Sequence, residues 1–150
     1  GSTRLPSKVL QDVAGQSMLA RVVHRVERAR YVDQVVVATS TSPADEAIIA
    51  ECERLGIASF RGEEQDVLDR YYRAAVHFRA PVIVRITSDC PLIDPEIIDK
   101  TVAAFQAALQ RFQLLAACDL HFQLARFDQH GIHFALDLGG ALGFILVPLA

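Results

Sequence analysis

Val35-Val36-Val37-Ala38-Thr39 is an unbroken apolar run, mostly β-branched. A strand with one wet face alternates apolar and polar residues. A continuous run marks a strand covered on both faces, as in parallel sheets flanked by helices. Outward from this run the period changes. Upstream, Met18, Leu19, Val22, Val23 and Val26 fall at helical spacing, with Arg21, His24, Arg25, Glu27 and Arg28 on the other side. Downstream, Ser42 in the N-cap position and Pro43 at the first helical position open a second helix. It carries Ile48, Ile49, Cys52 and Leu55 and stops at Gly56. A third short apolar segment spans residues 57–60, and a helix follows with Val67, Leu68, Tyr71, Tyr72, Ala75 and Val76 as its apolar stripe. Val82-Ile83-Val84-Arg85-Ile86-Thr87 is the next strand, and Asp94-Pro95-Glu96 begins a helix running past Ile97, Ile98, Val102 and Phe105. Strands alternating with helices predict an α/β fold with a mainly parallel sheet. Ligands of such sheets sit at the carboxyl ends of the strands, which here means just after Thr39, Phe60 and Thr87.

The 150 residues carry 51% hydrophobic side chains and a net charge of −3. That composition excludes intrinsic disorder, which needs low hydrophobicity and high net charge. It argues against a dedicated duplex-binding protein, which carries a basic excess, but leaves room for a small polyanionic ligand. No apolar run approaches the roughly 20 residues of a membrane span, and Gly1-Ser2-Thr3-Arg4 does not read as a signal peptide. Cys52, Cys90 and Cys118 are odd in number and form no CxxC pair, so free thiols in a reducing cytoplasm are expected. The charge is uneven. Of the 33 charged residues, 28 precede residue 109, which divides the chain into a core of residues 1–108 and a divergent apolar tail of residues 109–150. In that tail His130 and His133 lie three apart, but no Cys or carboxylate completes a zinc set with them and His121.

Three segments hold residue types suited to chemistry. Gly1-Ser2-Thr3-Arg4-Leu5-Pro6-Ser7-Lys8 offers small residues whose N–H groups can cradle phosphate oxygens. Arg4 supplies a forked cation and Lys8 a point charge. The segment lacks the Walker A pattern. In Thr87-Ser88-Asp89-Cys90-Pro91-Leu92-Ile93-Asp94, Asp89 follows a buried strand and suits Mg²⁺, which takes one or two carboxylates together with waters and phosphates. Asp94, before Pro95, reads as an N-cap. In Arg61-Gly62-Glu63-Glu64-Gln65-Asp66-Val67-Leu68-Asp69-Arg70, Arg61 is open as a phosphate or ribose contact, while Asp66 and Arg70 are spaced to pair on a helix surface.

In series, GSTRLPSK, VVVAT, FRG with DVLDRYY, and VRITSDCPLIDP resemble the cytidylyltransferase family, which includes the CMP-sialic acid and CMP-KDO synthetases. The likeness is most pronounced with the branch named for a spore-coat polysaccharide biosynthesis protein, and it covers about residues 1–105. The resemblance implies a Rossmann-like nucleotidyltransferase fold of the nucleotide-diphospho-sugar transferase type. It implies CTP, a sugar acceptor and Mg²⁺ as ligands, an activated CMP-sugar for surface polysaccharide as product, and a homodimer. Position by position, Gly1, Ser2 and Thr3 would form the nucleotide phosphate loop, with Arg4 and Lys8 facing the triphosphate. Asp89 would hold the metal, and Thr87, Ser88 and Arg61 would border the nucleotide.

The resemblance has departures. The family's loop follows a β-strand, whereas this chain begins at the loop. That strand would lie between the 35–39 and 82–87 strands, and Phe144-Ile145-Leu146-Val147 is an apolar stretch able to dock in the same place. Ser7 and Ser88 stand where the family has Gly, which would strain them if those positions need positive φ. Two other readings use the same residues: a nucleotide-binding remnant without turnover, and a glycosyltransferase of related fold.

Overall fold

A computed structural model describes residues 8–118, 135–137 and 143–146, with side chains through residue 111. The strands are β1 (Val35–Ser40), β2 (Ala58–Gly62), β3 (Ile83–Arg85), β4 (Ala135–Asp137) and β5 (Gly143–Leu146). The helices are α1 (Met18–Val26), α2 (Glu46–Leu55), α3 (Val67–Phe78) and α4 (Pro95–Cys118).

All six residues of β1 are buried. Side chains alternate across a strand, so its run feeds two cores. Val35 and Val37 pack with Leu19, Val22, Val23 and Val26 of α1, Ile48 and Cys52 of α2, and Ile98 and Val102 of α4. Val36 and Ala38 face the other way, onto Tyr71, Ala74 and Ala75 of α3. This three-layer arrangement is the expected α/β fold.

β1 and β2 are parallel, with Val36 opposite Ala58 and Ser40 opposite Gly62. β3 and β4 are also parallel. β5 runs antiparallel to β1, with Val35 opposite Leu146 and Ala38 opposite Gly143, and it also packs beside β3. The 144–147 stretch thus docks where its apolar sequence allowed, although Val147 lies outside the described residues. α4 continues through the drop in charge at residue 108 without a break. Among the described residues, no helix is long and apolar enough to cross a membrane.

The helix ends follow local chemistry. Ser17 caps α1, its hydroxyl accepting from Ala20 N at 3.1 Å and donating to Glu51 Oε1 at 2.5 Å. Gly56 ends α2 at φ 68, a left-handed conformation that a residue with Cβ adopts only under strain. Asp94 Oδ1 accepts from Glu96 N at 2.9 Å, the expected cap of α4. Ser42 behaves otherwise. Pro43 opens a 3₁₀ turn (Pro43–Asp45), Ser42 makes no side-chain cap bond, and α2 starts at Glu46.

α3 departs most from its sequence pattern. Leu68, Tyr72 and Val76, expected in its buried stripe, are exposed, Leu68 at 73%. Arg70 is buried with Tyr71, Ala74 and Ala75 instead. The expected Asp66–Arg70 surface pair does not form. Asp66 caps the helix by accepting from Asp69 N at 2.8 Å, while Arg70 Nη1 donates to Glu63 O at 2.8 Å. The surface pair on this helix is Asp69–Arg73, at 2.7 Å.

Candidate active site

The loop after β3 holds the first cluster. Thr87 and Ser88 are buried, and Asp89 emerges with its side chain 44% exposed. Lys8 reaches it from 81 positions away, Nζ lying 2.6 Å from Asp89 Oδ2. Val9 places the lysine. It is buried in the core shared with α1 and α2, and Gln11 N donating to Lys8 O closes the short turn.

The loop is folded back on itself. Cys90 N donates to Thr87 O, Ile93 N donates to Cys90 O, and Thr87 Oγ1 lies 3.2 Å from Cys90 Sγ. Arg25 of α1 ties down its far side, Nε donating to Ile93 O at 2.6 Å. Ser88 is not among the residues with positive φ, so serine carries no strain there. The Lys8 hydrogen bond, followed by one from Thr87, holds the Asp89 carboxyl below the ordinary carboxylate range, against a smaller upward push from burial.

Asp89 is thus ionised, partly open to water and paired with one flexible cation. Among the described residues no group of three or more His, Cys, Asp or Glu side chains gathers into a closed metal site. A single exposed carboxylate fits Mg²⁺ in the mode where waters and substrate phosphates complete the shell.

A second cluster lies where β1 and β2 end. Asp45 Oδ2 accepts from Thr39 Oγ1 at 2.7 Å, Ser40 N at 3.0 Å and Ser40 Oγ at 2.6 Å. Arg61 donates Nε to Ser40 O at 3.1 Å, Nη2 to Ser42 O at 3.2 Å and Nη1 to Glu46 Oε1 at 2.6 Å. All three of its nitrogens therefore serve the β1–α2 connection. Among the described residues no hydrogen bond or ion pair joins Arg61 to Lys8 or Asp89. The sequence reading did not single out Asp45. Its signal was present in two adjacent hydroxyl residues at a strand end, with an Asp five positions past Ser40 across a proline turn.

The structure therefore brings Lys8, Thr87, Ser88 and Asp89 together and places Arg61 in the second cluster. Gly1, Ser2, Thr3 and Arg4 lie outside the described residues, as do His121, His130 and His133. Cys52 is buried in the core, its thiol pushed up to about 11 by burial, and Cys90 is exposed on the Asp89 loop.

The cytidylyltransferase family model matches residues 1–125. The chain belongs to the cytidylyltransferase family. An uncharacterized protein of Methanocaldococcus jannaschii is 43% identical over 102 residues, covering 68% of this chain and 42% of that protein. The spore coat polysaccharide biosynthesis protein SpsF of Bacillus subtilis is 39% identical over 108 residues, covering 69% and 45%. A 3-deoxy-manno-octulosonate cytidylyltransferase of Geobacter sulfurreducens is 37% identical over 102 residues, covering 68% and 40%. Two solved structures share the fold. A cytidylyltransferase from Leptospira borgpetersenii matches with TM-score 0.66 and 32% identity over 71% of this chain and 45% of that one. A CMP:2-keto-3-deoxy-manno-octonic acid synthetase complexed with CTP matches with TM-score 0.59 and 25% identity over 71% and 44%. This member of the family spans a little under half the length of the curated relatives it matches.

Proposed function

We propose that this cytidylyltransferase-family chain transfers CMP from CTP to a sugar acceptor, giving an activated CMP-sugar for surface polysaccharide and releasing pyrophosphate. The observation that carries the reading is the Lys8–Asp89 pair at 2.6 Å, at the carboxyl end of a buried strand, where open α/β sheets bind their ligands. Family membership and a CTP-bound structural relative support the choice of nucleotide.

In this reading Lys8 and Asp89 neutralise each other at rest and separate when CTP arrives. Lys8 swings onto the triphosphate, joined by Arg4 from the small-residue loop of Gly1, Ser2 and Thr3. Asp89 would then be the residue to hold Mg²⁺, which would supply positive charge against the charge developing on the departing pyrophosphate. Thr87 and Ser88, rigid in the loop wall, border the nucleotide. Arg61 acts at one remove by fixing the Ser40–Ser42 turn. A sugar oxygen attacks the α-phosphorus in line, forming one P–O bond as the α–β bridging P–O bond breaks. Such chemistry depends on positioning and charge neutralisation more than on covalent groups. We place the reaction in the cytoplasm, where CTP is available and free thiols persist.

The test incubates the full chain with CTP, Mg²⁺ and a panel of acidic and deoxy sugars and measures pyrophosphate. Release that depends on both CTP and one acceptor class is expected. Thermal stabilisation by CTP with no pyrophosphate from any acceptor would replace this reading with nucleotide binding alone.

A further inference from the structure

The solvent face of α1 presents Arg21, His24 and Arg25, and Arg28 follows just past its end. Among the described residues none of the four bonds to Lys8 or Asp89, and only Arg25 bonds to the Asp89 loop, through Ile93 O. They line a concavity of ≈ 660 Å³ together with Ala14 and the exposed Leu92. That volume falls in the range of roughly 300–1,000 Å³ typical of small-molecule sites. Among the described residues no carboxylate lines it. Arg25 and Arg28 also line an adjoining cleft with Asp94, Glu96 and Asp99. Each of these acids has another partner: Asp94 caps α4, Glu96 lies 3.9 Å from Lys100, and Asp99 accepts from Tyr31 N at 3.0 Å and pairs with Arg30. Asp12, beside the Ala14 wall, accepts from Gly15 N at 3.0 Å.

Two of the cations are held in place by backbone carbonyls. Arg21 donates Nε to Val13 O at 2.9 Å and Nη2 to Ala14 O. Arg25 spends Nε on Ile93 O, which leaves its two terminal nitrogens. Arg28 makes no side-chain hydrogen bond or ion pair among the described residues. The neighbouring 13–16 segment is strained at Ala14, with φ 53, beside Gly15 at φ 85. Left-handed backbone at a residue with Cβ costs energy and collects at functional sites. Here Arg21 clamps it from the pocket side. The open terminal nitrogens of the anchored Arg25, and Arg28 with no partner among the described residues, match the oxygens of a phosphate, and the apolar Leu92 side chain suits the body of an ester.

We propose that this concavity binds a small, multiply charged anion of the phosphate or phosphate-ester class, separately from the Lys8–Asp89 site. It shares the 87–94 loop and its anchor Arg25 with that site but neither Lys8 nor Asp89, so the inference stands whether or not the CTP reading holds. Inorganic pyrophosphate is the probe, titrated into the full chain at constant ionic strength and followed by backbone amide NMR. Saturating shifts are expected at Ala14, Gly15 and Leu92. Arg28→Ala should weaken them about tenfold, the scale for one charge-assisted hydrogen bond, with partial recovery in Arg28→Lys and no change in Lys8→Ala. Shifts confined to Lys8 and Asp89, or full-strength binding by Arg28→Ala, would overturn the site. Citrate binding as tightly as pyrophosphate at the same amides would overturn its assignment to phosphates.

Discussion

Asp45 and Asp89 both follow a buried strand of the fold, and both carboxyls are held below the ordinary range. The causes differ. For Asp89 the chief one is a hydrogen bond from the flexible Lys8. For Asp45 burial pushes upward most strongly, and hydrogen bonds from the Ser40 and Thr39 hydroxyls and from Ser40 N together outweigh it. All of these reach one oxygen, Oδ2. A carboxylate facing a long, half-exposed cation can exchange that partner for a metal ion. A carboxylate bound by hydrogens rooted in a strand end cannot do so without unmaking the strand end. The same residue type is therefore left open to exchange in one loop and built into the scaffold in the other; in the proposed function the open one is the reagent.

The largest expected effect tests the reagent side. Lys8→Ala and Asp89→Asn should each lower CTP-dependent pyrophosphate release by about 10²–10³, or ~3–4 kcal/mol, the scale for removing one preorganised electrostatic contact. Turnover within a few-fold of wild type would end the role of the residue concerned. Next comes the scaffold side. Asp45→Ala leaves the Thr39 hydroxyl and the Ser40 N–H and hydroxyl without their acceptor, at about 1–3 kcal/mol for a buried group so stranded. Urea unfolding should show a loss of roughly 2–4 kcal/mol, and a change below 1 kcal/mol would remove Asp45 from the scaffold. Gly62→Ala strikes the same connection from below. A Cβ there would lie 2.8 Å from Arg70 Cγ and 3.2 Å from its Cα. Overpacking of this kind should destabilise by about 1–3 kcal/mol in the same assay.

Acid supplies a smaller test. Glu51 is held down to about 2, chiefly by its hydrogen bond from Arg54, against burial and with help from Ser17. A folded value below the ordinary 4.5 means the stabilisation is complete above that pH and fades as pH falls toward 2. Glu51→Gln should flatten the stability curve across that window, and an unchanged slope would refute the assignment. The smallest effect closes the comparison. The Lys8–Asp89 pair is 32% and 44% exposed, so breaking it should cost the fold only about 0–1 kcal/mol. A larger loss in Lys8→Ala would make that pair scaffold as well.

The pattern of elements was legible wherever short-range rules govern. The alternation of helices and strands, the doubly covered β1 run, the Gly56 stop and the Asp94 cap each rest on spacing of a few residues, and each appears as read. The place of Asp89 at the end of a buried strand was legible because that follows from the strand's own apolar run. The α3 stripe was misread because two helical faces, one with Leu68, Tyr72 and Val76 and one with Tyr71, Ala74 and Ala75, are both largely apolar. Only the sheet beneath selects between them. The resting partners of Arg61 were not legible, because a cation after a strand has many possible partners, and Ser40, Ser42 and Glu46 come together only once β1 and β2 are paired.

By itself the sequence determined the α/β class, the ends of most elements and the family, since all of these follow from local spacing and the order of motifs. Tertiary structure alone decided that Lys8 meets Asp89 across 81 positions, that Arg70 turns inward to Glu63, and that β5 runs antiparallel along β1. Those outcomes depend on which distant surfaces are left to pair once the helices have packed, and no local hydrogen bond or side-chain period encodes that.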